Sequence, residues 1–478
     1  MTNLFTALND LPDSETNNGA PTHSTTKLAS LDFFFKAPTA PLEVAVDLFK
    51  KAYKEDPLIA TKLAFWVRSP RKGPGMRDIG RQCLAHVAYN RNFLNSDLFI
   101  LEMIKHGRYD DLISLWTTNL KLQAIEKWVE DASVNPLAAK WLPREKSTNK
   151  YYARAIAKLM NLSPKEYRKF LARNTSVTET QMCSKDWSNI NFQHVPSQCM
   201  LKSRKAFQRN APKEFDTFLS DVEEGNATIN TQTIWPHQIL KKCIMHNYGL
   251  HTQKHRWDPL EENVKKIKQL SRDNQALWDN LPNFLDETPT LVVADSSGSM
   301  IGQPLEVAFS LALYTSERLK GPWKDKMVTF SSKPSFVQFE EDQTIAEKIA
   351  SIPPIIENTD LKKVFKLILH AATRSKLGQQ DMPKNILVIS DMEFDRATYG
   401  YETNFEAIDK MFEIAGMKRP NLIFWNVSTK NKENHPVKFD QNGTALISGY
   451  SPNILKAFNS DMTPQTVMEK ALEPFVSC

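Results

Sequence analysis

Residues 290–299 read TLVVADSSGS. The run Leu291-Val292-Val293-Ala294 is short, uninterrupted and rich in β-branched side chains, as in a strand covered on both faces. Three more such runs follow: Met327-Val328-Thr329-Phe330, Ile386-Leu387-Val388-Ile389 and Leu422-Ile423-Phe424-Trp425. Amphipathic helical segments separate them, over Leu305 to Lys320, Asp360 to Ala372 and Phe405 to Ala415. This alternation predicts a doubly wound, mainly parallel α/β sheet.

In such sheets ligands bind beyond the carboxyl ends of the strands. The first strand runs straight into Asp295, Ser297 and Ser299, with Gly298 expected to ease the turn. The strand from Asn385 runs into Ser390-Asp391, and Thr359 opens the helix after Asn358. Three loops thus supply two carboxylates and three hydroxyls. All are hard oxygen donors, which favours Mg²⁺, or Mn²⁺ or Ca²⁺, over zinc or copper. Neutral hydroxyls leave the ion much of its charge, so an open position would accept a carboxylate or phosphate from a partner. The plainer alternative is that Asp295 and the serines only cap a helix.

The stretch resembles the metal-ion-dependent adhesion site of von Willebrand A domains, whose pattern is Asp-x-Ser-x-Ser, then a Thr, then an Asp after a later strand. Asp295, Ser297 and Ser299 match the first element, Thr359 the second and Asp391 the third. The resemblance implies direct ligation by Ser297, Ser299 and Thr359, with the aspartates binding directly or through water. One departure stands out: the last Asp of the family is often followed by Gly, and here Met392-Glu393 follows.

Upstream the pattern is helical. Residues 9–29 are polar and aperiodic, so residues 1–38 are expected to be a flexible tail. Leu42, Ala45, Val46 and Phe49, and later Phe99, Ile100, Met103 and Ile104, recur at helical spacing. Ser163-Pro164-Lys165-Glu166 reads as a capping box with proline at the first helical position. Closely spaced helices predict an all-α, HEAT-like helical-repeat domain over 39–285, including a charged helix over Asp258 to Asn280, followed by the α/β domain over 286–478.

At 478 residues the chain is long enough for two or three domains. No apolar run is long enough to span a bilayer, and Met1 to Asp10 lack the flank and core of a secretory leader. Cys83, Cys183, Cys199, Cys243 and Cys478 form no CxxC pair, which suits reduced thiols in a cytoplasm and argues against zinc.

Charge is concentrated. Residues 140–213 hold 16 Lys and Arg against 4 Asp and Glu, a net of +12 that exceeds the +6 of the whole chain. Such a window suggests a polyanion-binding surface. Its candidate nucleic-acid contacts are Lys158, Lys165, Arg168, Lys169, Arg173, Lys202, Arg204, Lys205 and Arg209. Trp141, Tyr151, Tyr152, Tyr167, Trp187, Phe192 and Phe207 are interleaved with them, as stacking partners for bases or as ordinary core. The turn from Arg68 to Arg77, with Gly73 and Gly75, is either a backbone nest for phosphate or a plain solvent loop.

A helical-repeat part followed by a von Willebrand A domain resembles the Ro (TROVE) RNA-binding proteins, and more closely an uncharacterised Ro-related family. The resemblance rests on Arg68 to Arg77, on His106 to Leu112 (HGRYDDL), on Lys165 to Lys169, on Trp187 to Phe192 with Val195-Pro196-Ser197, and on Trp235-Pro236-His237. It implies binding of structured or misfolded noncoding RNA by a basic helical ring, with the A domain joining the ring's ends. The alternative is a scaffold without RNA, its metal capturing an acidic residue of a protein partner. An enzyme is not expected, because no general base, nucleophile–histidine pair or P-loop accompanies the site.

Overall fold

The structure, a computed structural model, describes residues 11–90, 95–247, 272–330, 334–353, 360–396, 402–428, 434–458 and 462–476. The chain divides into two compact units: Met1–Glu55 with Trp235–Ala471, and Asp56–Ile234 with Leu472–Cys478.

The first unit is built on a six-stranded sheet. Its strands are β3 (Thr290–Asp295), β4 (Lys326–Phe330), β5 (Ser335–Gln338), β6 (Asn385–Ser390), β7 (Asn421–Asn426) and β8 (Thr444–Ser448), in the order β5-β4-β3-β6-β7-β8. All neighbours are parallel except β5, which pairs antiparallel with β4 at one edge. β3 and β6 are adjacent, with Ala294 opposite Ile389, so their carboxyl ends lie side by side. Both are buried along their whole length, as their unbroken apolar runs require.

Helices cover the two faces because strand side chains alternate. Leu291, Val293, Val328, Ile386, Val388, Leu422 and Phe424 pack with one stripe of Leu361–Arg374: Leu361, Val364, Phe365, Ile368, Leu369 and Ala372. That helix starts where Asp360 accepts a hydrogen bond from the Lys363 amide at 3.0 Å. Gln303–Arg318 packs against β3, β4 and β6 and is itself almost entirely buried, because Pro236–Asn247 packs on it in turn.

The expected tail is ordered from residue 11, and it belongs to this unit. Short strands β1 (Ser14–Glu15) and β2 (Pro21–Thr22) pair with each other, and helix α1 (Ala29–Lys36) packs on α2 (Leu42–Glu55) and on β8. Phe33, Phe34 and Phe35 are fully buried, each contributing ~1.5–3 kcal/mol over exposure. Polar residues 14–26 stay in place by bonding across to the sheet loops: Thr16 Oγ1 donates to the Phe394 carbonyl at 2.8 Å and Thr22 Oγ1 to that of His435 at 2.9 Å. The aperiodic sequence read as a flexible tail because it could not report these distant partners. The helices at 42–55, 236–247 and 272–279 likewise group with the sheet rather than with a separate domain over 39–285. Of the expected helix over Asp258 to Asn280, Arg272–Asp279 is seen and 258–271 lie outside the described residues.

The second unit is all-helical in its described residues. Its helices are α3 (Pro57–Arg68), α4 (Arg77–Asn90), α5 (Ser96–His106), α6 (Lys121–Ala132), α7 (Pro136–Trp141), α8 (Lys150–Leu159), α9 (Pro164–Asn174), α10 (Thr178–Cys183), α11 (Ser197–Asn210) and α12 (Pro212–Glu223). Neighbours in sequence pack together, α3 on α4, α6 on α7, α8 on α9 and α11 on α12. The chain returns at its end, where Phe475 meets the His106 ring at 4.6 Å. The capping box of α9 forms as expected: Ser163 Oγ accepts from the Glu166 amide at 3.3 Å, and Glu166 Oε2 accepts from the Ser163 amide at 2.8 Å.

Candidate functional site

The carboxyl ends of β3 and β6 bring Asp295 and Asp391 together. Asp295 is fully buried; its Oδ1 accepts from the Ser297 amide at 2.8 Å and its Oδ2 from the Ser390 hydroxyl at 2.5 Å. Ser297 Oγ and Ser299 Oγ lie 3.0 Å apart on the same loop. Burial and then the nearby Asp391 charge push the Asp295 carboxyl up to about 7, against the opposing bonds from Ser390 and Ser297. Two buried carboxylates that disfavour each other's charge are an arrangement a bound cation relieves. Four of the five expected ligands thus share one edge of the sheet. Thr359 lies outside the described residues, immediately before the Asp360 cap.

The turn chemistry departs from expectation in an informative way. Gly298 opens a 3₁₀ turn, Gly298–Met300, and the left-handed glycine of the loop is Gly302, at φ 104°. After Asp391, Met392 itself takes φ 64°. That is the conformation for which glycine is favoured, and here a methionine takes it. Burial of Met392 at 1 % exposure, among Phe394, Phe405 and Phe424, offsets the strain.

Sequence reading assigned no role to Ser390, Glu393 or the N-terminal segment. Ser390 holds Asp295 and accepts from the Met392 amide at 3.1 Å. Glu393 is buried and bridges loops: its carboxylate accepts from the Asn17 amide at 2.6 Å and from Asn434 Nδ2 at 3.3 Å. Burial raises its pKa, the Asn17 bond lowers it, and Asp391 raises it. Ser390 was within reach of a sequence argument, since it ends the same strand as Asp391. The pairing of Asn17 with Glu393 had no local signal. Among the described residues no group of three or more His, Cys, Asp or Glu side chains forms a metal centre. The set here differs in kind, with hydroxyls in place of further acids or imidazoles.

In the helical unit the expected cations stand outside. Lys165, Arg168, Lys169, Ala172 and Arg173 are exposed on α9 while Tyr167 and Leu171 are buried. On α11, Lys202, Lys205 and Arg209 are exposed, and Arg204 is half-buried, donating to the Leu201 carbonyl at 2.7 Å. Lys158 is exposed on α8. Arg168 is held by Glu145 Oε2 at 2.7 Å, and Lys140 by Glu179 at 2.6 Å. The window itself holds only 4 acids for its 16 cations, so its own carboxylates cannot cancel most of its charge.

The Arg68 to Arg77 turn is not a phosphate nest. The Lys72, Gly73 and Met76 amides donate within the chain, to Ser69 Oγ, the Ser69 carbonyl and the Val67 carbonyl. Arg68 is buried, with Nε and Nη2 both 2.7 Å from Asp111 Oδ2; Arg81 Nε reaches Asp111 Oδ1 at 2.7 Å and its Nη2 reaches Asp110. Gly107 belongs to the same knot, since a Cβ there would sit 2.3 Å from Asp111 Oδ2. The HGRYDDL stretch is therefore a structural clasp. Phe192 and Phe207 are likewise core rather than stacking surface, joined with Phe215 and Phe218 in ring contacts, while Trp187 is half-buried with its ring edge-on to Phe207 at 6.3 Å.

The sheet region, residues 289–473, matches a domain of unknown function (DUF7788). A second domain of unknown function (DUF2828) matches residues 116–288. The two meet where the sequence pattern changes from helical to alternating. The chain is 26% identical to an uncharacterized protein of Acanthamoeba polyphaga mimivirus, over 97% of this chain and 88% of that one. Among solved structures, the Ro (RSR) protein of Deinococcus radiodurans aligns over 89% of this chain and 93% of its own, at 14% identity and a TM-score of 0.45. No helix among the described residues is long and apolar enough to cross a membrane.

Proposed function

We propose that the chain is an RNA-binding protein whose helical unit holds phosphates, and whose sheet is a von Willebrand A-type domain with a divalent-metal adhesion site. The observation that carries the RNA reading is the segregation of charge. Basic residues occupy the exposed faces of α8, α9 and α11, and carboxylates that would neutralise them are scarce. An ordinary solvated helix intersperses acids at i, i+4. Here the surplus favours a polyanion, and the sequence resemblance to Ro proteins makes noncoding RNA the polyanion of choice.

Asp295, Ser297, Ser299 and Asp391, with Thr359, would hold Mg²⁺, or Mn²⁺ or Ca²⁺. Bound there, the ion would supply an electrophilic position for a partner's carboxylate. The donor set fits: all oxygen, two buried carboxylates, and hydroxyls already 3.0 Å apart. This supports a second activity, capture of an acidic side chain of a protein partner.

The test is binding of a structured hairpin RNA by the full chain over a salt series. Lys165→Ala/Lys169→Ala/Arg173→Ala together should lower affinity and reduce the slope of log affinity against log salt by about 2.7. Asp295→Ala should leave RNA affinity unchanged while abolishing Mg²⁺ binding by calorimetry. Unchanged affinity and slope in the triple variant would refute the RNA reading. Equal Mg²⁺ binding by Asp295→Ala would refute the metal site.

A further inference from the structure

One exposed face of the helical unit combines an aromatic ring with cations. Tyr151 is 66 % exposed, unusual for a large aromatic side chain. It is nonetheless braced: its ring contacts Trp116 edge-on at 6.2 Å and Tyr152 at 5.6 Å, and those two meet at 4.6 Å. Lys121 Nζ lies 4.5 Å from the Trp116 ring centre. Tyr151, Arg154 and Lys158 recur at i, i+3 and i+7 on α8, so they share one face. Arg154 and Lys158 are exposed and line a cleft of about 440 Å³ with Glu145, Asn161, Leu162 and Pro164. Glu145 is the one acid there, and Arg168 already engages it at 2.7 Å. Arg144, Lys146 and Lys150 are exposed just upstream.

We infer that this face is a single-strand RNA site: an unpaired base stacks on Tyr151, and the adjoining phosphates sit against Arg154 and Lys158 at the cleft. The inference rests on the RNA-binding reading and adds to it the kind of RNA and the contacts. An exposed ring fixed by two neighbours offers a flat face at little entropic cost, and every base has a π-face to lay on it. Cations at i+3 and i+7 then meet the backbone that continues from that base. A duplex keeps its bases stacked inside, so it satisfies the cations but leaves Tyr151 unused. An acidic peptide would also use the cations without needing the ring.

The experiment uses the full chain, a fluorescent single-stranded oligouridylate and an RNA duplex of equal length, read by anisotropy over a salt series. Tyr151→Ala should weaken single-strand binding about tenfold with an unchanged salt slope. Tyr151→Phe should keep near-wild-type affinity, and neither change should alter duplex binding. Arg154→Ala/Lys158→Ala should lower the single-strand salt slope by about 1.4. If the unaltered chain binds the single strand and Tyr151→Ala binds it equally well, the inference is overturned and the RNA reading survives. An equal loss on the duplex, or tight binding of polyglutamate that Tyr151→Ala also loses, overturns it too. If the unaltered chain binds neither RNA, this inference and the RNA reading fall together.

Discussion

Asp295→Asn should stabilise the metal-free protein at pH 8 and lose that advantage in Mg²⁺. Burial and Asp391 push the Asp295 carboxyl from the usual 3.8 up to about 7. A carboxyl whose pKa is raised on folding binds its proton more tightly in the fold. Between pH 4 and 7 the unfolded chain has lost a proton that the fold retains, so stability falls as pH rises through that window. The interval from 3.8 to about 7 corresponds to ~4 kcal/mol at pH 8. The amide cannot ionise and escapes that cost. Asn Oδ1 still accepts from the Ser297 amide, but the Ser390 hydroxyl must turn to accept instead of donate, which costs ~1–2 kcal/mol. The net gain is therefore ~2–3 kcal/mol in chelator at pH 8 and near zero or slightly negative at pH 4. In Mg²⁺ at ~100 times its dissociation constant the wild type gains ~2.7 kcal/mol and the variant nothing, which removes or reverses the difference. Urea unfolding at pH 4 and 8, in chelator and in Mg²⁺, measures all four values. A variant less stable than wild type in chelator at pH 8, or a difference that ignores pH, would refute the reasoning about the carboxylate pair.

In the helical clasp, Asp111→Asn should cost ~3–5 kcal/mol by leaving the buried Arg68 without its counter-charge, whereas Asp110→Asn, in a more exposed pair, should cost ~1 kcal/mol or less; urea midpoints compare them. His435 is fully buried beside Lys36, Asp32 and His23, and burial holds its pKa down to about 3. Stability should therefore fall as pH drops below 6.5, where the unfolded chain takes up a proton the fold refuses, and His435→Gln should flatten that acid limb in a pH series of thermal melts. Ser163→Ala should lower stability by ~1 kcal/mol through loss of the α9 cap, and Ser163→Thr should restore most of it. Deleting residues 1–26 should accelerate amide exchange in the loop after β6, because the bonds to Glu393 and Phe394 go with them.

The candidate metal edge was legible to the extent that its residues end strands. Asp295 and Asp391 follow apolar runs that fix where each strand stops, and parallel pairing of β3 with β6 then sets the two acids side by side. β5 escaped notice because it is four residues at an edge with Phe336 exposed, so no burial stamps a pattern on it. β8 escaped because Thr444–Ser448 is short and mixed, although the fold buries all of it. Arg68 looked like a free cation, and Asp111, far along the chain, was what withdrew it from solvent, whereas Arg168 pairs with Glu145 and stays exposed.

By itself the sequence determined what depends on neighbours along the chain: the buried strands from continuous β-branched runs, the α9 start from its capping box, and the excess of basic over acidic residues in 140–213. Only the tertiary structure decided which polar segment is a strap and which cation is spent internally. It also decided that Tyr151 faces solvent while Tyr167 faces core. Hydrogen bonds and ion pairs between distant residues are indifferent to spacing in sequence, so periodicity carries no trace of them until the chain has closed on itself.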